Sequence, residues 1–151
     1  MLKNENCQQG QAIVEFAFVL PILCLLLLGI IEFGVLFYNK AMTTNASREG
    51  ARTGITLNVL NVSGTKTCVA VPDADIEAAV NAYLESKLIS FGDVNQINTT
   101  VTRVGNSPDC DLNPGTVAVD VVYQHSYLAI PRFMGLGNTI AINATTIMNR
   151  E

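Results

Sequence analysis

One acidic residue stands directly before the longest apolar stretch of the chain, and it follows a glycine by five positions. The glycine is Gly10, the acid is Glu15, and the apolar stretch runs from Phe16 to Ile31 without a charge. A carboxylate within a bilayer costs at least a few kcal/mol, so such groups are usually paired or functional. The spacing therefore favours a carboxylate retained for recognition or pairing. The alternative is a signal anchor with an incidental acid near its cytoplasmic edge.

The composition restricts the chain to few functional classes. Its 151 residues are enough for one domain of modest size, and its formal net charge is −4. The chain has no basic tract and no Trp, so nucleic acid is not an expected partner. Apolar residues make up 49% of the chain and charged ones only 15%, and the apolar excess is concentrated in one segment. This distribution indicates a membrane anchor with a small domain attached.

The apolar segment is long enough to span a bilayer. If Glu32 is tolerated, the segment continues through Tyr38, whereas a spanning helix needs about 20 residues. Tyr38 suits the far interface. No small-residue cleavage site follows Ile31, so we expect the anchor to be retained and to span about 16–38, in contact with membrane lipid.

Charges and cysteines point to opposite orientations of this anchor. Lys3 precedes the apolar segment, whereas Lys40, Arg48 and Arg52 follow it. The positive-inside rule would therefore place the C-terminal part in the cytoplasm. Cys68 and Cys110 favour the opposite side, because an isolated pair in a small extracytoplasmic domain suggests a disulfide. Metal binding by these thiols is the weaker interpretation, and no metal or cofactor is expected. We therefore expect the N-terminus in the cytoplasm and the C-terminal domain outside.

The chain divides into a leader, residues 1–10, a long helix, residues 11–55, and an extracytoplasmic α+β domain, residues 56–151. The first part of this domain, from Asn58 to Val71, has the composition of a loop. A second helix is predicted to open at Pro72 and Asp73 and to stop at Gly92.

Alternating residues then predict three strands. These are a weaker strand over Gln96–Val104 and stronger ones over Val117–Tyr127 and Ile140–Met148. The predicted fold is α+β, with a long N-terminal transmembrane helix that extends into a small domain with a second helix and a three-stranded antiparallel sheet.

Small residues recur every four positions in the second half of the long helix, at Ala46, Gly50 and Gly54. Such a stripe lets another backbone approach closely. The other backbone could belong to a partner subunit or to the protein's own sheet, and spacing alone leaves both open. Arg48 and Arg52, also four apart, share a neighbouring face.

Three sequence pieces together resemble a known family. They are G-Q-A-I-V-E-F-A-F-V-L-P-I-L, I-I-E-F-G-V-L-F-Y and A-S-R-E-G-A-R, in this order between Gly10 and Arg52. The first piece looks like a type IV prepilin processing site. The three together resemble the TadE-like family, the pseudopilins or minor pilins of the bacterial Tad (Flp) pilus system.

The resemblance implies a precursor that prepilin peptidase cuts between Gly10 and Gln11, with Glu15 and Phe16 as processing and assembly residues. The cut would expose a positive amine that needs a carboxylate, and Glu15 of the same or an adjacent helix would supply one. The implied partners are the peptidase, other Tad pilins and pseudopilins, and an assembly platform in the bacterial inner membrane. The protein itself would sit in that membrane or enter the pilus.

A second acid, Glu32, interrupts the apolar stretch. Three interpretations are open: a place at the outer interface, a pairing with Lys40 or Arg48 of a neighbouring subunit, or simple exposure among the headgroups. His125 alternates with Val and Tyr residues, which is typical of a half-buried strand residue and not of a base or ligand.

No nucleophile, base and orienting acid assemble around His125, so no enzyme is expected. The alternative to a structural pilus component is a membrane-anchored extracytoplasmic binding or adhesion module.

Overall fold

The computed structural model describes residues 6–62, 65–90, 96–104, 115–127 and 139–149. Helix α1 spans Asn6–Ile55 and continues through Pro21. It begins five residues before the predicted start at Gln11, so the end of the leader and the anchor form one helix. Over Gly10–Ile55, α1 is long and apolar enough to cross a membrane, judged by its length and composition.

A β-hairpin follows α1 where the sequence predicted a loop. Strand β1, Leu57–Val62, pairs antiparallel with strand β2, Thr65–Ala70, in a two-stranded sheet of their own. The loop prediction for Asn58 to Val71 was therefore wrong. It counted Asn, Ser, Gly and Thr as loop residues, although Val and Thr are good strand formers. Val recurs in Leu57–Val62 and Thr recurs in Thr65–Ala70.

Helix α2 spans Asp73–Glu85, with Pro72 as its N-cap. Ile76, Val80 and Leu84 are buried, as the helical spacing predicts. The predicted stop at Gly92, which lies outside the described residues, was wrong because α2 ends at Glu85.

The chain leaves α2 in two steps. Lys87 N–H and Leu88 N–H both donate to Leu84 O, and the next amide, Ile89 N–H, donates to Oδ1 of Asn39 on α1.

Three antiparallel strands form the main sheet, in the order β3-β4-β5. Strand β3 is Ile97–Val104, β4 is Thr116–Ser126 and β5 is Thr139–Asn149. Alternation along β4 buries every second residue from Val117 to His125. The predicted α+β fold, with its long apolar helix, second helix and three-stranded sheet, is confirmed.

The two helices cover one face of this sheet, and the core lies between them. An ion pair joins the end of β3 to the start of α2. Arg103 on β3 donates to Val71 O and to the carboxylate of Asp73. The buried core consists of Ala46, Ala51, Val71, Ile76, Val80, Leu84, Val117, Val119 and Val121.

Candidate processing and assembly site

The predicted processing residues lie on the exposed first half of α1. Gly10, Gln11, Glu15 and Phe16 are all exposed, and the Gly10–Gln11 peptide bond lies within the helix. Gln11 and Glu15 are four residues apart, so they share a face and differ in height by about 6 Å. An amine on residue 11 would therefore lie one helical turn from this carboxylate.

Gly10 has no packing role within the described part of the chain. A Cβ atom built on it meets no atom within 4 Å. A glycine in a helix interior costs about 1 kcal/mol relative to alanine. No contact within the described residues requires a glycine at this position, and the same is true of Gly34.

The same half of α1 presents a continuous apolar surface. Every residue from Gln11 to Leu28 is exposed in the isolated chain. The large apolar side chains on it are Ile13, Val14, Phe16, Phe18, Val19, Leu20, Ile22, Leu23, Leu25, Leu26, Leu27 and Leu28. In water such a patch would be a liability, whereas in a bilayer it is the required surface.

The small-residue stripe packs inside the protein's own core. A Cβ atom on Gly50 would lie 2.6 Å from Val80 Cγ2, and one on Gly54 would lie 2.9 Å from Val117 Cγ1. Ala46 is fully buried as well. Of the two alternatives, the stripe accommodates the protein's own second helix and sheet.

The basic residues on α1 stay on its surface. Arg48 and Arg52 are exposed, one helical turn apart. Lys40 is also exposed, and its Nζ donates to the backbone carbonyl of Asn143 on β5. This bond holds α1 against the edge of the main sheet.

Glu32 is the first residue of α1 that the domain buries, with 6% of its surface exposed. Simple exposure among the headgroups is therefore the wrong interpretation. Its charge acts on the ring of His125 on β4, whose pKa is lowered by burial and raised in part by this carboxylate. The pairing of Glu32 with a basic residue of a neighbouring subunit stays a prediction.

Asn39 joins three parts of the domain. Its Nδ2 donates to Ile89 O at 2.7 Å, and its Oδ1 accepts from Ile89 N–H at 3.0 Å. These two bonds identify which atom of the Asn39 side-chain amide is the nitrogen and which is the oxygen. The contact of Nδ2 with His125 Nδ1, at 3.2 Å, therefore requires an unprotonated Nδ1. The neutral ring then carries its proton on Nε2.

Sequence reasoning missed most of this buried polar cluster. Asn39, Thr43 and Ser47 are fully buried on α1, and Ser47 Oγ donates to Val119 O at 2.8 Å. The sequence signal that could have found these three residues is their spacing of four, which places them on one face of α1, close to the small-residue stripe. His125 was predicted to be half-buried, but it is fully buried.

The cysteine prediction is only partly within the described residues. Cys68 lies in β2, whereas Cys110 lies outside the described residues, so the disulfide stays a prediction. Cys24, in the apolar half of α1, is free and exposed. Within the described ranges, no group of three or more His, Cys, Asp or Glu residues is arranged to hold a metal ion.

A long apolar helix that continues into an α+β domain defines a candidate membrane-anchored protein. Residues 10–52 match the family model described as TadE-like protein, in agreement with the resemblance of the three sequence pieces. The segment that contains the predicted processing residues is thus TadE-like, which indicates a pilus-related, pilin-like protein. No curated protein and no solved structure gave a significant match.

Proposed function

We propose that this protein is a pseudopilin, or minor pilin, needed for assembly of a Tad (Flp) type IV pilus, and that prepilin peptidase cuts it after Gly10. The observation that carries the proposal is the TadE-like match over residues 10–52, which begins at the proposed cleavage glycine. The domain would face the extracytoplasmic side of the inner membrane.

Cleavage would prepare the helix for lateral association. It would remove residues 1–10 and leave a positive amine on Gln11, at the edge of an apolar surface where an unpaired charge is costly. Glu15 lies one turn away on the same helix and is exposed, so it can reach the amine of its own or of an adjacent helix. Helices would slide until these charges meet, which selects an axial register. The partners would be other pilins and the membrane platform.

The test is the intact mass and N-terminal sequence of the protein from membranes with and without prepilin peptidase. We expect a mature chain that begins at Gln11 only when the peptidase is present. Gly10→Val should keep residues 1–10 even with the peptidase. Gly34→Val is the matched control, because a Cβ atom at either glycine meets no described atom within 4 Å. The control should be cut normally.

The opposite result would favour the other class of function. A chain that keeps residues 1–10 in both backgrounds would contradict the proposal. The anchored extracytoplasmic binding or adhesion module would then be the better interpretation, with α1 serving only to hold the domain at the membrane.

A further inference from the structure

One end of the domain faces the apolar half of α1. Strand β4 runs antiparallel to α1, since Val117 lies at Gly54 whereas His125 lies at Asn39. The end of β4, the beginning of β5 and the segment after α2 therefore all lie at this end, because Ile140 pairs with His125 and Ile89 bonds to Asn39.

Exposed apolar and basic side chains surround this end, which we call the membrane-facing rim. Ile89 is 41% exposed and Ile140 is 38% exposed, and Lys87 lies on the same segment as Ile89. Lys40, on α1, is exposed beside β5. The rim consists of Phe33, Phe37, Tyr38, Lys40, Lys87, Ile89 and Ile140.

The far end of the domain carries exposed charges of both signs, because Arg48 and Arg52 of α1 lie toward it together with acids of α2. The acids at the start of α2, Asp73, Asp75 and Glu77, are exposed at the end far from the apolar half. At the rim, Glu85 is the exposed acid among the described residues, and Glu32 is buried. The rim therefore combines apolar side chains with two lysines, a composition suited to an anionic lipid surface.

The height of the rim matches the headgroup layer. A span of about 20 residues that begins at Phe16 ends near Val35, so Asn39 stands about 6 Å beyond it. The His125 ring contacts Asn39, so the ring and its strand partner Ile140 lie near this height. A headgroup layer is about 5–7 Å thick on each side of the hydrocarbon core.

We propose that the membrane-facing rim docks on the phospholipid headgroup layer of the membrane that α1 spans. Ile89, Ile140 and the aromatic side chains enter the interface. Lys40 and Lys87, whose ammonium groups lie on Asn143 O and over the Tyr83 ring in the isolated chain, turn from these contacts to lipid phosphates. This inference rests on the proposed membrane anchoring. Docking would fix the tilt of the domain before it joins any assembly. The residues that join Tyr127 to Thr139 lie outside the described residues and are no part of the proposed site.

The chain contains no Trp, so single Trp substitutions report depth without background. The full chain is placed in phosphatidylglycerol-containing vesicles, and its fluorescence is quenched with brominated lipids. Ile140→Trp is the probe and Ile147→Trp is the control, on the same strand but about 23 Å farther from the membrane. Leu25→Trp, in the apolar half of α1, reports insertion.

We expect Leu25→Trp and Ile140→Trp to be quenched and shifted to shorter wavelength, and Ile147→Trp to stay unquenched. Equal behaviour of Ile140→Trp and Ile147→Trp, with Leu25→Trp quenched, would overturn docking and leave the anchor intact. An unquenched Leu25→Trp would instead contradict the anchor itself.

The role of charge is tested in the Ile140→Trp background. Replacing Lys87 by Gln, which leaves the bond from Lys40 to Asn143 O in place, should reduce the quenching, and high salt should do the same to the parent. Replacing Arg48 and Arg52 by Gln is the matched control and should change nothing, because both lie far from the rim. Quenching that is unchanged both by the lysine substitution and by high salt would overturn the assignment to anionic headgroups.

Discussion

Each half of α1 contains a glycine and a glutamate, but these residues are exposed in one half and buried in the other. The first half contains Gly10 and Glu15, both exposed, and the glycine touches nothing described. The second half contains Gly50, which is buried against the protein's own sheet and second helix, and Glu32, which is also buried. One continuous helix thus presents one half to its surroundings and folds a domain on the other.

The boundary between the halves is sharp. Ile31 is exposed and Glu32 is buried, and from there one face of the helix is covered as far as Gly54. Substitutions in the first half should therefore affect processing and assembly without affecting stability. Substitutions on the covered face of the second half should affect stability first.

The largest effect is expected for Glu15→Gln in the exposed half. It leaves the amine of residue 11 without its carboxylate, and removing one partner of a desolvated ion pair costs about 3–5 kcal/mol, or more than about 100-fold in assembly. Assembled pili are counted, and the thermal midpoint of the full chain is measured in detergent. We expect near-complete loss of pili and an unchanged midpoint. Normal piliation would show that Glu15 does not set the register.

A smaller effect is expected for Asn39→Ala in the buried half. It removes both bonds to the backbone of Ile89 and the contact with His125, so we expect a loss of about 2 kcal/mol in unfolding free energy. Thr44→Ala is the control: its exposed hydroxyl bonds only to Lys40 O one turn back, so it should cost less than about 0.5 kcal/mol. Equal denaturation midpoints for the two variants would contradict a structural role for the Asn39 bonds.

Asn39 also shows where prediction from sequence stopped. Its partners lie 50 and 86 residues away along the chain, and no local pattern specifies them. By contrast, the strands β4 and β5 and the buried face of α2 follow from periodicity, because burial repeats with the geometry of each element. The hairpin from Leu57 to Ala70 was missed because its residues suit loops and strands equally.

The sequence also predicts some parts of the candidate site and not others. Gly10, Gln11 and Glu15 could be found because they are adjacent in sequence to an apolar run that needs no fold to be recognised. The small-residue stripe was found, but its partner was not, since a glycine row looks the same whether it meets another subunit or its own sheet. The approaches of Val80 to Gly50 and of Val117 to Gly54 decide between them.

The smallest expected effect is a dependence of stability on pH. It tests whether water is excluded from the buried face of the second half of α1. Burial lowers the pKa of His125 in the folded protein, and Glu32 raises it in part. The unfolded chain has a His pKa of about 6.5, so below this pH it binds a proton that the folded ring resists. Stability should therefore be complete above about pH 6.5, fall as the pH drops below it, and level off once the folded ring is protonated.

Two variants isolate this contribution, and the ring can be followed directly because His125 is the only histidine. His125→Gln should remove the part of the pH dependence that begins near 6.5 and leave the acid titrations at lower pH. Glu32→Gln removes the charge that raises the His125 pKa, so the NMR titration of the ring should move to lower pH. Protonation of Nδ1 also breaks the contact with Asn39, since both groups would then be donors. A His125 titration at the unfolded value in both proteins would mean that water reaches the ring and that the second half of α1 is not closed at Glu32.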